Sequence, residues 1–145
     1  MKKQDGFTFV ELLVTISLIM IMITMIGLIH GKSYDNYQFK RWFQQFESDV
    51  LFLQQQTMTT RTNDLLNILP STNQYEIRST PLEPPNIVRN IPKEWKVSIL
   101  SLQMPLSYTR AGTIRNPGMF RITTKHSTYD IYFPFGKGRC YFVQR

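Results

Sequence analysis

The sequence predicts an α+β fold, in which one long N-terminal helix packs on a small antiparallel sheet. The first observation behind this prediction is an apolar run over residues 7–29, followed by apolar residues at helical spacing as far as about residue 60. The second is a change of composition, because all eight prolines lie from Pro70 onward, among runs with strand-like alternation. We expect a leader over 1–6, an apolar helix over 7–29, an amphipathic helix over 30–62 and a β-rich part over 63–145.

The apolar run over residues 7–29 contains a single charged side chain, that of Glu11, and residues 12–29 contain none. About eighteen or more uncharged, mostly apolar residues in succession are typical of a membrane-spanning helix. A cleaved secretory signal fits less well, because its apolar region is usually about 7–15 residues long and ends in a small-residue cleavage pattern. An uncut single-pass anchor fits the hydropathy as well as a processed one.

Glu11 distinguishes these interpretations. A carboxylate in an apolar helix costs roughly 2.5–3.5 kcal/mol when it faces lipid near the bilayer centre, and less near the edge. Such a residue usually has a cationic partner, but Lys2 and Lys3 lie two turns away and the intact chain offers nothing nearer. Cleavage just before Phe7 would create a partner, since the new α-amino group would lie at the start of the helix.

The segment from Gly6 to Leu12, Gly-Phe-Thr-Phe-Val-Glu-Leu, resembles the processing site of type IV prepilins and pseudopilins. The shared features are a short basic leader, a glycine, an aromatic residue, a threonine and a glutamate at the fifth position after the cut. The resemblance implies that a prepilin peptidase cleaves between Gly6 and Phe7 and that the new N-terminus of Phe7 is methylated. It also implies that Glu11 pairs with the Phe7 amine of a neighbouring subunit and sets the axial register of a filament.

Beyond Tyr34 the apolar side chains recur at three- and four-residue steps and predict an amphipathic helix. These side chains are Phe39, Phe43, Phe46, Val50 and Leu53. We expect this stripe to pack on the domain, and we expect Glu47 and Asp49 to lie on the solvated side of the helix. Gly27 and Gly31 leave open whether the helix is continuous.

Short β-favouring runs predict the strands of the sheet. The runs are Gln74–Ser79, Trp95–Leu102, Met119–Thr124, Thr128–Phe135 and Arg139–Val143. The segment Asn63–Pro70 is ambiguous, and Gly136-Lys137-Gly138 predicts a hairpin connection between two strands. The single cysteine, Cys140, excludes an intramolecular disulfide, and we expect a small buried side chain in a strand.

Several short segments are similar to the ComGD-type minor pseudopilins of Gram-positive competence systems. These segments are Tyr34–Asn36, Gln54–Thr57, Tyr129–Ile131 and Gly136–Arg139. The similarity implies a pilin-like fold and a minor subunit of a competence pseudopilus, a type IV pilus-like structure needed for the uptake of external DNA in transformation. The minor pseudopilins of type II secretion systems are the alternative, and the major competence pilin, which is usually shorter, matches less well.

The same resemblance implies the partners and the location of the chain. The partners are the prepilin peptidase, other pseudopilins of the same filament and, before assembly, the membrane. We expect a single-pass protein of the cell membrane with a short N-terminus inside, and then a position at the cell surface or in the cell wall as part of the pseudopilus.

The residue types do not predict an enzyme, a cofactor or a metal site. His30 and His126 are the only histidines, Cys140 is alone, and no Ser/His/Asp, metal-ligand or paired-carboxylate pattern is present. The only chemistry that the sequence locates is done to the protein, at the bond between Gly6 and Phe7.

The net charge of +7 is unevenly distributed, because residues 61–145 contain twelve Lys or Arg against five Asp or Glu. Simple solvation of a surface explains such an excess, and so does attraction to an anionic polymer. The favoured hypothesis is a structural subunit, and the second is a tip subunit that binds DNA directly. The candidate DNA contacts are Arg110, Arg115, Arg121, Lys125, Lys137 and Arg139.

Overall fold

In a computed structural model, the structure describes residues 8–60, 63–80 and 82–145, with only the backbone for residues 25–31. One helix, α1 (Phe9–Thr60), precedes a series of antiparallel strands in this part of the chain. The strands are β1 (Leu65–Leu69), β2 (Gln74–Arg78), β3 (Ile87–Asn90), β4 (Lys96–Ile99), β5 (Gly118–Thr123), β6 (Thr128–Phe133) and β7 (Tyr141–Gln144). They form a three-stranded sheet of order β1-β2-β3 and a four-stranded sheet of order β4-β5-β6-β7.

The chain divides into two compact units, Met1–Tyr34 and Asp35–Arg145. The helical backbone of α1 includes Gly27 and Gly31, so neither glycine ends the helix. The second unit contains the remainder of α1 and both sheets, and the buried core lies within it.

The predicted apolar stripe of α1 forms the centre of this core, and all five of its side chains are buried, as expected. The ring of Phe39 stacks on Tyr129 of β6, with ring centroids 3.5 Å apart and planes 3° apart. Phe46 contacts both sheets, with centroids 5.1 Å from Tyr75 of β2 and 5.6 Å from Phe120 of β5. The two sheets therefore share one hydrophobic core, because the same face of the helix packs against each of them.

The expectation that Asp49 lies on the solvated side of α1 is wrong. Asp49 is buried, and its carboxylate accepts hydrogen bonds from Tyr75 Oη at 2.8 Å, Arg89 Nε at 3.1 Å and Gln45 Nε2 at 3.0 Å. Its position three residues after Phe46 places it at the edge of the apolar stripe. Burial, followed by the hydrogen bond to Asp49, raises the pKa of Tyr75 far above its usual range.

A second buried carboxylate joins α1 to the four-stranded sheet. Asp35 accepts hydrogen bonds from the Thr124 hydroxyl and from the His126 N–H, both in the turn between β5 and β6. One residue further along the helix, Asn36 Oδ1 accepts a hydrogen bond from Tyr129 Oη at 3.3 Å. Tyr34–Asn36 and Tyr129–Ile131, two of the segments that carry the narrower resemblance, are thus joined by this hydrogen bond.

The predicted α+β fold is confirmed, but the strands form two sheets where the sequence indicated one. Each predicted β-favouring run overlaps a strand, whereas the sequence does not predict β1 and β3. β1 lies in the ambiguous Asn63–Pro70 segment. β3 has only four residues, three of them exposed, so it lacks the alternation that identifies a half-buried strand.

The connection between β6 and β7 is the predicted hairpin, since these strands pair in antiparallel register. Gly136 within it has φ = +89°, a conformation that glycine adopts readily. Cys140 is buried, as expected, but the expectation that it lies in a strand is wrong, because β7 begins one residue later, at Tyr141. Burial, assisted by the negative charge of Glu47, raises the pKa of its thiol to about 12, so the reactive thiolate is scarce at neutral pH.

Replacing Asp49 by alanine is expected to lower the free energy of unfolding by about 2 kcal/mol, because the buried hydroxyl of Tyr75 loses its acceptor. Chemical denaturation of the full-length protein in detergent measures the change. Glu94→Ala is the control, because it removes an exposed carboxylate of the same unit, and it is expected to change the value by less than about 0.5 kcal/mol. Equal stabilities for the Asp49 and Glu94 variants would contradict the assignment.

Candidate assembly site and nucleic-acid interface

The first described residue, Thr8, caps the N-terminus of α1. The Glu11 N–H donates to Thr8 Oγ1 at 3.4 Å, and the Leu12 N–H donates to the Thr8 carbonyl at 3.2 Å. The Thr8 hydroxyl thus satisfies the Glu11 N–H, one of the backbone donors that the first turn of a helix leaves without intrahelical partners, and the Thr8 carbonyl accepts the first intrahelical bond. The role of Thr8 as a cap was missed at the level of sequence, although Thr-x-x-Glu before an apolar run is the spacing of a capping box. Gly6 and Phe7 lie outside the described residues.

Glu11 lies in the first turn of α1 with its side chain exposed. The positive end of the helix dipole favours a carboxylate at this position. Among the described residues, no hydrogen-bond donor or cation pairs with the Glu11 carboxylate. Its negative charge is therefore available to a group from outside this part of the chain.

The first sixteen residues of α1, Phe9–Thr24, expose apolar side chains on every face of the helix. The hydroxyls in this stretch bond to the helix itself: Thr15 donates to the Leu12 carbonyl at 2.9 Å, and Ser17 to the Leu13 carbonyl at 2.8 Å. Thr24 likewise donates to carbonyls of the preceding turn. A helix that is apolar all round requires an apolar environment to cover it, and these internal hydrogen bonds leave its hydroxyls satisfied in such an environment.

Among the residues that the structure describes, no helix combines the length and the apolar character needed to cross a membrane.

The candidate DNA contact Arg121 is already engaged within the four-stranded sheet. Its Nε and Nη2 bond to the two carboxylate oxygens of Asp130 at 2.6 and 3.1 Å, and Arg145 Nε bonds to the same carboxylate at 2.7 Å. The hydrogen bond from Arg121 is the main cause that lowers the pKa of Asp130. Since Arg121 and Asp130 face each other on β5 and β6, Arg121 is better explained as part of a cross-strand ion pair than as a DNA contact.

The remaining candidates are exposed but do not lie together. Lys125 lies in the turn that joins β5 to β6, whereas Lys137 and Arg139 follow β6 at the opposite end of the sheet. Strands of six residues separate these ends by about 17 Å. The backbone beside Arg115 is joined to the β6–β7 connection, because the neighbouring Ile114 N–H donates to the Gly136 carbonyl at 3.2 Å. The Arg115 side chain lines a groove with Leu65 and Tyr108. Arg110 is exposed in the turn before this segment.

Comparison with known proteins gives three similarities. A model of the prokaryotic N-terminal methylation motif matches residues 1–27. The competence protein ComGD of Bacillus subtilis (strain 168) is 24% identical over 139 residues, covering 96% of this chain and 93% of ComGD. The minor pseudopilin EpsH from the type 2 secretion system of Vibrio cholerae has a similar fold, with a TM-score of 0.55 and 13% identity, over 72% of this chain and 94% of EpsH.

These similarities confirm the resemblance that the N-terminal motif suggested. The motif match covers the segment with Gly6, Phe7 and Glu11. The similarity to ComGD extends over nearly the whole of both chains, and the likeness to EpsH concerns the fold.

Replacing Thr8 by alanine removes the cap, and a lost cap costs a helix about 1 kcal/mol. We expect roughly fivefold faster amide hydrogen exchange in the first turn of α1, measured by NMR of the full chain in detergent micelles, because that free energy corresponds to such a factor. Thr8→Ser keeps the hydroxyl and should exchange like the wild type. An alanine variant with wild-type exchange would show that Thr8 does not cap the helix.

Proposed function

We propose that this chain, a pilin-like protein similar to the minor pseudopilins, is a subunit of a competence pseudopilus, the filament needed to take up external DNA in transformation. The observation that carries this proposal is the similarity to the competence protein ComGD over 96% of the chain. EpsH, which belongs to a type 2 secretion system, matches in fold at 13% identity. That likeness supports the pilin-like fold and does not favour secretion over competence.

In this proposal a prepilin peptidase cleaves between Gly6 and Phe7 and methylates the new N-terminus of Phe7. The support is the N-terminal methylation motif, which matches residues 1–27 and thus includes this bond. The partners of the mature chain are the other pseudopilins of the filament.

Before assembly the chain is a single-pass protein of the cell membrane with its short basic N-terminus inside. The uncharged sequence over residues 12–29 and the two lysines of the leader, Lys2 and Lys3, support this topology. After cleavage, the apolar surface of Phe9–Thr24 passes from lipid to the corresponding helices of neighbouring subunits. The chain then belongs to a filament at the cell surface and within the cell wall.

Glu11 pairs with the Phe7 amine of a neighbouring subunit in the assembled filament. Its exposed side chain and its lack of a partner among the described residues support this role. In apolar surroundings a carboxylate and an ammonium group each carry a desolvation cost that the pair offsets only in good geometry. The pairing therefore restricts the axial positions at which one helix can dock on the next.

The chain acts as a structural subunit, and we assign it no catalytic step. The two relatives support this assignment by their names, a competence protein and a minor pseudopilin. The chemistry at the Gly6–Phe7 bond belongs to the peptidase.

Replacing Gly6 by alanine should block maturation, because the extra methyl group lies directly at the bond to be cut. Co-expression with the prepilin peptidase, followed by gel electrophoresis and mass spectrometry, should show an unshifted chain without methylation. Gly31→Ala is the matched control, expected to be cut and methylated normally. Normal cleavage of the Gly6 variant after residue 6 would contradict the requirement for glycine, and cleavage of the wild-type chain at another bond would refute this site.

Replacing Glu11 by glutamine should leave cleavage intact and lower incorporation into filaments by about tenfold, the loss expected when one charge-assisted hydrogen bond is removed. Quantitative immunoblots of filaments sheared from cells measure incorporation, and transformation frequency provides the functional result. Glu47→Gln makes the same change outside the assembly segment and should assemble normally. Wild-type assembly of the Glu11 variant would contradict the pairing.

A further inference from the structure

The whole net charge of the protein lies in its last 51 residues. Residues 95–145 contain eight Lys or Arg and a single acidic residue, Asp130, so their excess of seven equals the net charge of the chain. Asp130 is buried and paired with Arg121 and Arg145. The four-stranded sheet and its loops thus present exposed cationic side chains and no exposed acidic side chain.

Three of these cations lie in two segments that a backbone hydrogen bond joins at one end of the sheet. Lys137 and Arg139 lie in the β6–β7 connection, and Arg115 is held beside it by the hydrogen bond from the Ile114 N–H to the Gly136 carbonyl. All three side chains are exposed. Within the described residues, no carboxylate lies within ion-pair distance of any of them.

An apolar and aromatic surface adjoins these cations. Phe135 is 87% exposed, although most large apolar side chains of this unit are buried. It lines a groove of about 330 Å³ together with Pro117, Met119 and Tyr132. Tyr132 stacks on Tyr141 of the neighbouring strand, with ring centroids 5.3 Å apart and planes 16° apart. We call Phe135, Tyr132 and Tyr141, with the cations Arg115, Lys137 and Arg139, the loop-end surface.

The loop-end surface combines two properties that together select one kind of partner. Its charge is complementary to a polyanion, and its exposed aromatic rings suit a partner with planar apolar faces. A DNA duplex presents phosphates, but its bases are stacked inside the helix. A phosphate polymer of the cell wall has no aromatic rings. A single-stranded nucleic acid offers both, since its unstacked bases can lie on aromatic side chains while its phosphates contact cations.

We propose that the loop-end surface binds single-stranded nucleic acid, with bases stacking on Phe135 and the Tyr132–Tyr141 pair and phosphates contacting Arg115, Lys137 and Arg139. Lys125 and Arg121 lie outside this surface, the first at the other end of the sheet and the second in its ion pair. The biological role of this binding rests on the proposed competence function. The binding itself is argued from the charges and aromatic rings of the surface alone.

Binding is tested on the full-length processed protein in detergent micelles, with a fluorescent 20-nucleotide oligothymidine, a 20-base-pair duplex and inorganic polyphosphate as probes. We expect the oligothymidine to bind at low salt, more tightly than the duplex. Phe135→Ala should weaken oligothymidine binding about tenfold, as expected for the loss of one stacking platform, and duplex binding less than twofold. Leu82→Ala, which truncates another highly exposed apolar side chain, should change neither.

The cations are tested by a pair of matched double variants. Lys137→Gln with Arg139→Gln should lower the slope of log affinity against log salt by about 1.4, the value for two phosphate contacts to a single strand. Lys96→Gln with Lys125→Gln removes the same charge at the opposite end of the sheet and should leave the slope near the wild-type value. Thermal unfolding of each variant verifies that the fold is retained.

Any of three results would overturn the inference. The first is no binding of oligothymidine at low salt, and the second is an equal loss of oligothymidine affinity in the two double variants. The third is polyphosphate binding as tight as oligothymidine binding, with an oligothymidine affinity that Phe135→Ala does not change.

Deletion of the gene distinguishes this failure from failure of the proposed function. If transformation is lost on deletion while the protein binds no oligothymidine, the competence function is supported and nucleic-acid binding by the loop-end surface is refuted. If transformation is unaffected while binding follows the expected pattern, nucleic-acid binding is supported and the competence function is refuted.

Discussion

The packing of one aromatic helix face against two separate sheets is the constraint on which the second unit, Asp35–Arg145, depends. The three-stranded and four-stranded sheets are not joined edge to edge by a strand pair. What they share is contact with Phe46, whose ring meets Tyr75 on one sheet and Phe120 on the other. Burial of such rings contributes about 1.5–3 kcal/mol each, so the helix stabilises both sheets at once. The buried carboxylates then fix its position, Asp49 against the first sheet and Asp35 against the second.

The segment Phe9–Thr24 of the same helix has the opposite property, because it exposes apolar side chains all round. Its hydroxyls are satisfied within the helix, and Thr8 caps its first turn. Among the described side chains of this segment, the carboxylate of Glu11 is the polar group left without a partner. A segment of this kind requires cover by lipid or by similar helices, and a polymer of identical or related subunits supplies that cover. In the proposed function, assembly into a filament meets this requirement.

The sequence was sufficient where a pattern is local. The five apolar residues of the α1 stripe follow the helical period, and the alternation of Phe120 and Ile122 with Arg121 identifies β5. The sequence was insufficient where a contact forms between residues that are far apart along the chain. The partnership of Arg121 with Asp130 depends on the register of two strands, so Arg121 was taken as a candidate DNA contact. Asp49 was assigned to solvent because a carboxylate is usually exposed, although its spacing from Phe46 places it beside the buried face. The loop-end surface requires the hydrogen bond between Ile114 and Gly136, which no sequence pattern reveals.

The central claim is that the exposed apolar segment Phe9–Thr24 of α1 is covered by other pilin-like subunits in a filament. A photoreactive amino acid at Ile16, in the middle of that segment, tests this claim directly in filaments sheared from competent cells. The account predicts a crosslink between Ile16 and another pilin-like subunit, identified by mass spectrometry. Absence of the chain from sheared filaments, or its presence there without any subunit crosslink at Ile16, would contradict the account.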